Sequence, residues 1–302
     1  MNLAITGGTG FVGQALLDCA AARGYAVNAL ARRMQEPREG VNWVTGDLDD
    51  QAALRRLMAG CDVVIHVAGV VNTHDPQVFE QGNVVGTLNV IEAALESGVQ
   101  RLVVVSSLSA REPALSLYGA SKARAEKLVM ASGLDWTIVR PPAIYGPRDK
   151  DMFELFRAAK WGVVPVPKEG RTSLIHVTDL AELLLALVPG GEDVSQRSFE
   201  PDDGKPGAWN HDEMARAIGW AMGKRTRVLG LAKPWLERAA RLDTALRKGK
   251  AKLTLDRVGY MTHPDWAVSE GARVPAGVWQ PRIETREGMR ETALWYRAND
   301  WL

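Results

Sequence analysis

The sequence predicts an α/β protein, a doubly wound parallel sheet with a smaller C-terminal lobe, on three observations. Short β-branched runs alternate with amphipathic helical stretches through the first two-thirds of the 302 residues. A glycine-rich turn joins the first run to the first helical stretch. After Arg140 the alternation stops, and Pro141, Pro142, Pro147, Pro165 and Pro167 interrupt the chain. Strands buried on both faces with helices between them require parallel pairing and right-handed crossovers.

Taken in order, strands are predicted at Asn2–Thr6, Ala26–Leu30, Asn42–Thr45, Val63–His66, Arg101–Ser106 and Trp136–Arg140. Helical spacing covers Val12–Arg23, Gln51–Met58, Asn83–Ser97 and Tyr118–Ala131. Beyond these, Thr172–Val177 leads into a helix at Thr178–Leu187, and a short strand at Ser198–Glu200 lies among Pro, Gly and Asp. A helix at His211–Met222 starts on the cap residue Asn210. Residues 1–145 are read as a dinucleotide-binding Rossmann domain whose sheet later segments complete, and 146–302 as a lobe that covers the substrate.

Composition narrows the function. A net charge of +1 gives no reason to invoke nucleic acid. Two cysteines, Cys19 and Cys61, are too few for a disulfide framework and read as small buried thiols. The first strand begins without a basic region and apolar stretch of the signal-peptide kind, and no apolar run reaches a membrane span. The expectation is a cytoplasmic protein acting on a small molecule, and no metal site is assigned.

Thr6-Gly-Gly-Thr-Gly-Phe-Val-Gly13 follows the first strand and opens the first helix. Gly7 permits the tight turn, Gly10 lets the backbone approach a pyrophosphate, and Gly13 allows close packing, with Phe11 and Val12 beside them. The helix N-terminus offers free N–H groups and a positive dipole to the anion. An NAD site wants a carboxylate at the end of the second strand, but that stretch reads Ala29-Leu-Ala-Arg-Arg33. Arg32 and Arg33 suit a 2′-phosphate instead, so NADP is preferred over NAD. Asp47 and Leu48 after the third strand, and Ala68 and Gly69 after the fourth, are placed along the cofactor.

Tyr118-Gly-Ala-Ser-Lys122 puts a phenol and an ammonium on one helix face. A neighbouring lysine is expected to favour the phenolate and lower the tyrosine pKa toward neutrality. Ser106 and Ser107 end the fifth strand at its carboxyl edge, where ligands bind in such sheets. A hydroxyl there can hydrogen-bond a substrate oxygen.

These pieces together resemble the extended branch of the short-chain dehydrogenase/reductase superfamily, the NAD-dependent epimerase/dehydratase type. The matching motifs are Thr6–Gly13, Asp47-Leu48, His66-Val-Ala-Gly69, Asn83-Val-Val-Gly-Thr87, Ser106-Ser107, Tyr118-Gly-Ala-Ser-Lys122 and Arg140-Pro-Pro-Ala-Ile-Tyr-Gly-Pro147. The resemblance implies that Tyr118 is the acid/base, Lys122 holds the ribose and tunes Tyr118, and Ser107 orients the substrate oxygen. It also implies that Asn83 supports the site, that Pro141 through Ile144 border the nicotinamide, and that the chain forms a homodimer. Ser107 is chosen over Ser106 and Ser109, although Leu108 and Ser109 replace the small residues common in the family. His176-Val-Thr-Asp179 resembles a family motif before a helix, and structural hydrogen bonding is expected of it.

The implied activity is interconversion of a carbonyl and an alcohol. Nucleotide-sugar epimerisation or dehydration is an alternative. So is a non-catalytic dinucleotide binder, because the chain is also similar to relatives of the accessory subunit of respiratory complex I. The basic stretch 224–257, which includes Lys248 and Lys250, carries Val228, Leu229, Leu231, Trp235, Leu236, Leu242 and Leu246 at near-helical spacing. A helix covering the pocket with a solvated cationic face is preferred there to one touching an anionic membrane or a partner. Trp266, Trp279, Trp295 and Trp301 are expected to fill the lobe core or line an apolar pocket, and a helix near Glu291–Arg297 to close the chain.

Overall fold

The computed structural model describes residues 1–247 and 251–302, so Lys248 and Lys250 of the basic stretch lie outside the described residues. The N-terminal half runs β1 (Asn2–Thr6), α1 (Phe11–Ala22), β2 (Ala26–Ala31), β3 (Val41–Thr45), α2 (Gln51–Met58) and β4 (Val63–His66). It continues through α3 (Pro76–Phe79), α4 (Gly86–Glu96), β5 (Arg101–Val105), α5 (Leu117–Met130) and β6 (Asp135–Val139). The helix expected at Asn83–Ser97 starts earlier. Asp75 caps it, Pro76 occupies the first turn, and a wide π-turn over Glu80–Val85 joins α3 to α4.

The second half holds β7 (Ala143–Tyr145), α6 (Phe153–Ala159), β8 (Val163–Pro167), β9 (Arg171–Thr172), β10 (Leu174–His176) and α7 (Val177–Ala186). Then come β11 (Arg197–Phe199), β12 (Trp209–Asn210), α8 (His211–Ala221), β13 (Arg227–Leu231), α9 (Lys233–Arg247), α10 (Leu255–Met261), β14 (Asp265–Trp266) and α11 (Thr285–Ala298). The stretch 224–257 is therefore a strand followed by two helices. Val228, Leu229 and Leu231 belong to β13, which pairs in parallel with β8 over five positions.

The main sheet has seven parallel strands in the order β11-β6-β5-β4-β1-β2-β3. Strand order reverses between β1 and β4, which opens a crevice at their carboxyl ends. Every residue of β4 and β5 is buried. Period-two alternation divides them between the layers. Val103 and Val105 face Leu16, Leu17, Leu180 and Leu184 of α1 and α7, while Leu102 and Val104 face Leu54, Leu57, Val90 and Ile91 of α2 and α4.

Residues after 146 go to two places. α7 and β11 return to the sheet, β11 pairing beside β6. The remainder builds a lobe around Tyr145, Phe156, Met214, Ile218, Met289 and Tyr296. Trp295 and Trp301 pack on that core, Trp266 is buried, and Trp279 packs against the sheet layer instead. The closing helix spans Thr285–Ala298. Cys19 and Cys61 are both free thiols.

Candidate active site

The glycine loop is built by close approach of backbone to backbone. Gly7 has φ 75°, and a Cβ on it would lie 2.6 Å from the Ala68 nitrogen. A Cβ on Gly13 would lie 2.0 Å from the Gly7 carbonyl oxygen, so α1 seats directly on the loop. Gly10 is exposed and faces open space apart from that same carbonyl. Asp50, Ser116 and Asn210 cap α2, α5 and α8, whereas α1 starts at Gly10 with no capping side chain. Its first-turn amides, Phe11 to Gly13, are thus available to an anion.

Arg32 and Arg33 are exposed beyond the end of β2, and among the described residues neither is held in an ion pair. Asp47 is exposed, with its Oδ1 accepting from the Asp49 amide at 3.0 Å. Leu48 packs against Gly86, where a Cβ would come within 2.7 Å of its Cδ1. A Cβ on Gly69 would meet Asn83 Oδ1 at 2.9 Å and Lys122 Nζ at 3.4 Å. The gap beside Lys122 thus depends on that glycine. Pro141 is buried and its carbonyl accepts from the Leu108 amide, while Ile144 lies on β7 opposite Ile175. An uncapped helix start, a cradle closed to any Cβ and a gap beside a buried ammonium fit a dinucleotide.

Ser116 fixes the start of α5, its Oγ accepting from the Gly119 amide at 2.9 Å. Two turns of helix set Tyr118, Lys122 and Glu126 along one face. Tyr118 stands beside Ser107, between the rings of Phe79 and Tyr260, each 6.0 Å away centroid to centroid. Burial pushes the Tyr118 phenol well above its ordinary value, and the Ser107 hydroxyl pulls against that. The lowered phenol pKa expected from the Tyr/Lys spacing is therefore not found. The reason is that Lys122 Nζ turns to the Val105 carbonyl, 2.8 Å away, and leaves burial to dominate. Burial also brings Lys122 down to about 8, with the Glu126 carboxylate opposing it.

Ser107 Oγ is 2.9 Å from Ser109 Oγ and starts the short turn Leu108–Arg111. Ser106 points elsewhere, donating at 2.5 Å to Glu126, which also takes a two-pronged pair from Arg140. Asn83 Oδ1 accepts from the Val70 amide at 2.7 Å, and its Nδ2 donates to the Val70 carbonyl and to Ser121 Oγ. Its side chain thus clamps the loop after β4 to α5.

Beneath the site runs a buried chain with a defined direction. Thr87 Oγ1 donates to the Asn83 carbonyl, so it accepts from His66 Nε2; His66 Nδ1 then accepts from Thr6 Oγ1 at 2.7 Å. Burial, assisted by the charge of Lys122, drives the His66 pKa down to about 3 and keeps it neutral. His176 acts as the cap of α7, its Nδ1 accepting from the Thr178 amide, and Asp179 accepts from the amides of Arg282 and Ile283. Both motif residues thus serve structure.

Glu126, Phe79, Asp256 and Tyr260 also meet here, although none belongs to the motifs named from the sequence. Glu126 carried a signal, since it continues the Tyr118–Lys122 face by one more turn. Asp256 and Tyr260 carried none. They come from α10, where Asp256 takes the Leu117 amide at 2.5 Å and the Tyr118 amide at 3.4 Å. Gly259 allows this approach, because a Cβ there would sit 2.4 Å from the Leu115 carbonyl oxygen.

Comparison with known proteins agrees with this architecture. The sequence pattern of the NAD dependent epimerase/dehydratase family matches residues 3–199. A ceramide reductase of Caulobacter vibrioides is 36% identical, over 99% of this chain and 96% of its own length. A 2-alkyl-3-oxoalkanoate reductase of Stenotrophomonas maltophilia is 30% identical, over 96% of this chain and 98% of its own length. A UDP-glucose 4-epimerase of Thermus thermophilus, solved with NAD, superposes with a TM-score of 0.73 at 22% identity, covering 98% of this chain and 99% of that one. The fold is shared with that epimerase. A dinucleotide of the NAD(P) kind is the family's cofactor, and no described helix is long and apolar enough to cross a membrane. With its glycine loop, crevice and Tyr/Lys helix, the chain belongs to the NAD dependent epimerase/dehydratase family and is an enzyme of the extended short-chain dehydrogenase/reductase superfamily.

Proposed function

We propose that the protein is an NADP-dependent oxidoreductase that reduces a carbonyl to an alcohol on an apolar, lipid-like substrate. The observation that carries this reading is the placement of the half-buried Tyr118 phenol beside Ser107, between the rings of Phe79 and Tyr260 and one helical turn from Lys122. The phenol is protonated at neutral pH and so carries the proton that the carbonyl oxygen must take up, while its release calls for the phenol pKa to fall toward neutrality as the cofactor and substrate bind.

In this reading Gly7, Gly10, Gly13 and the first turn of α1 hold the pyrophosphate. Arg32 and Arg33 pair with the 2′-phosphate, Asp47 and Leu48 border the adenosine, and Ala68, Gly69, Pro141 and Ile144 line the way to the nicotinamide. The bound dinucleotide supplies the hydride that reaches the carbonyl carbon. Ser107 donates to the substrate oxygen and fixes its angle toward Tyr118. Tyr118 gives its hydroxyl proton to that oxygen as negative charge develops there. Lys122, anchored on the Val105 carbonyl, holds the ribose hydroxyls. Asn83 acts through the Val70 loop and Ser121 and is a positioning residue.

The apolar substrate is supported by the mouth of the site. Val71, Val78, Leu117 and Leu255 are exposed on the segments that adjoin it, the loop after β4 and the helices α3, α5 and α10. Asn72, donating to the Ala251 carbonyl at 3.4 Å, and Asp256, on the Leu117 amide, tie these segments together. The relatives that align along nearly the whole chain are named as reductases of a ceramide and of an alkyl oxoalkanoate.

The test is NADPH oxidation with a series of long-chain oxo compounds. Tyr118→Phe should cost about 10²–10⁴-fold in kcat while its melting temperature stays unchanged. Arg32→Ala should weaken NADPH and leave NADH alone. Equal affinity of the parent protein for both cofactors would remove the 2′-phosphate assignment, and conversion of a UDP-sugar without net cofactor turnover would select epimerisation.

A further inference from the structure

Helix α9 turns its larger apolar stripe outward. Trp235, Ala239, Leu242 and Leu246 recur at three- and four-residue steps and therefore share one face. That face is open: Trp235 is 62% exposed, Leu242 61% and Leu246 74%. Inward, only Leu236 and Ala240 of the fifteen residues are buried, in a small cluster with Val258 of α10. Ribbon β8/β13, one residue before α9, repeats the pattern. Its pairing sets Val163 beside Arg227 and Pro165 beside Leu229, all four exposed, and Trp161 just ahead of β8 is 83% exposed.

Scattered exposed leucines need no explanation, but a one-sided helical stripe headed by a tryptophan, with a second exposed tryptophan ahead of the adjoining ribbon, does. The charge around it is one-sided too. Residues 224–247 hold seven basic side chains (Lys224, Arg225, Arg227, Lys233, Arg238, Arg241 and Arg247) against Glu237 and Asp243. Arg238 stacks over Trp235 at 4.8 Å, and Arg241 lies on the same flank of the stripe. An apolar stripe with a tryptophan and an arginine-rich flank matches the boundary between acyl chains and anionic headgroups.

We propose that the outer face of α9, with the adjoining β8/β13 ribbon, docks the protein on an anionic lipid bilayer. α10 lies under α9 and reaches Tyr118 through Tyr260 and the α5 N-terminus through Asp256. The docked face is therefore one helix away from the catalytic tyrosine, and the exposed Leu255 opens that same helix. Docking sets the mouth at the membrane, where an apolar carbonyl substrate resides. That delivery role rests on the reductase reading; the docking itself does not.

The experiment is co-sedimentation of the full chain with vesicles of phosphatidylcholine containing phosphatidylglycerol, and with phosphatidylcholine alone. Binding is expected to the charged vesicles and to fall with added salt. Leu242→Glu with Leu246→Glu, and separately Arg238→Glu with Arg241→Glu, should each weaken it about tenfold or more, with unchanged melting temperatures. Absence of binding, equal salt-insensitive binding to uncharged vesicles, or binding indifferent to both variant pairs would overturn the proposal. So would a concentration-dependent dimer that Leu242→Glu splits, since the face would then belong to a second copy. Vesicle binding without turnover of any oxo compound would remove the reductase reading and leave the docking in place.

Discussion

In β5 every residue from Arg101 to Val105 is buried, and even its arginine is held by Asp135, Thr137 and the Leu187 carbonyl. In α9, fifteen residues long, two are buried. β5 is apolar in four of its five residues, whereas α9 mixes apolar side chains with six charged ones (Lys233, Glu237, Arg238, Arg241, Asp243 and Arg247). The two also differ in how many layers lie on either side. The sheet strand is covered by helices from both faces, and among the described residues the arm helix buries only Leu236 and Ala240, in a small cluster with Val258 of α10 on which Leu231 and Leu253 pack. The first arrangement gives a rigid floor on which Ser107, Tyr118 and Lys122 keep their positions. The second leaves an apolar face whose partner lies outside the fold.

The sharpest way to break the floor is to strip a charge from its buried network. Glu126→Ala would leave Arg140 without its two-pronged partner and Ser106 without an acceptor, and should cost about 3–5 kcal/mol in urea unfolding. A cost below about 1 kcal/mol would show that the network is solvated. Leu54→Ala, which opens a cavity under the sheet, should cost about 2–5 kcal/mol by the same measurement.

The His66 chain gives the floor a pH dependence. Its folded pKa, about 3, lies below the ordinary 6.5, so between these values the unfolded chain binds the extra proton. Its stabilising contribution is whole above pH 6.5 and is lost as pH falls, by up to about 1.4 kcal/mol per unit. Unfolding measured from neutrality down to about pH 5 should show this slope, and His66→Gln should make it shallower, the remainder coming from His176, which burial brings down to about 4. A smaller effect joins the two regions. Asp256→Ala frees the first amides of α5 and should cost about 1 kcal/mol, with KM raised more than kcat is lowered. Smallest of all, Leu242→Ala should change stability by less than about 0.5 kcal/mol. A large loss there would mean that the α9 face is packed in the folded monomer.

Much of the nucleotide half was legible in the chain because its signals are local. A strand, a turn that admits only glycine at Gly7 and Gly13, and an amphipathic helix lie within about twenty residues, a span over which periodicity and turn chemistry decide structure. Tyr118 and Lys122 were legible for the same reason, being one helical turn apart. The start of α4 was misread because the π-turn at Glu80–Val85 has no periodic signature.

Other features belong to the tertiary structure. Spacing alone implied a lowered Tyr118 pKa, yet packing sent Lys122 to the Val105 carbonyl and let burial raise the phenol. Asp256 and Tyr260 meet α5 across well over a hundred residues of chain, which no local pattern encodes. The direction of the Thr6–His66–Thr87 chain follows from single hydroxyl protons brought together from three separate elements. The stretch 224–257 shows the division most clearly. Its composition announced an amphipathic, basic segment, but which apolar stripe faces inward depends on where α10 lies, because a helix with two apolar stripes buries the one its neighbour reaches.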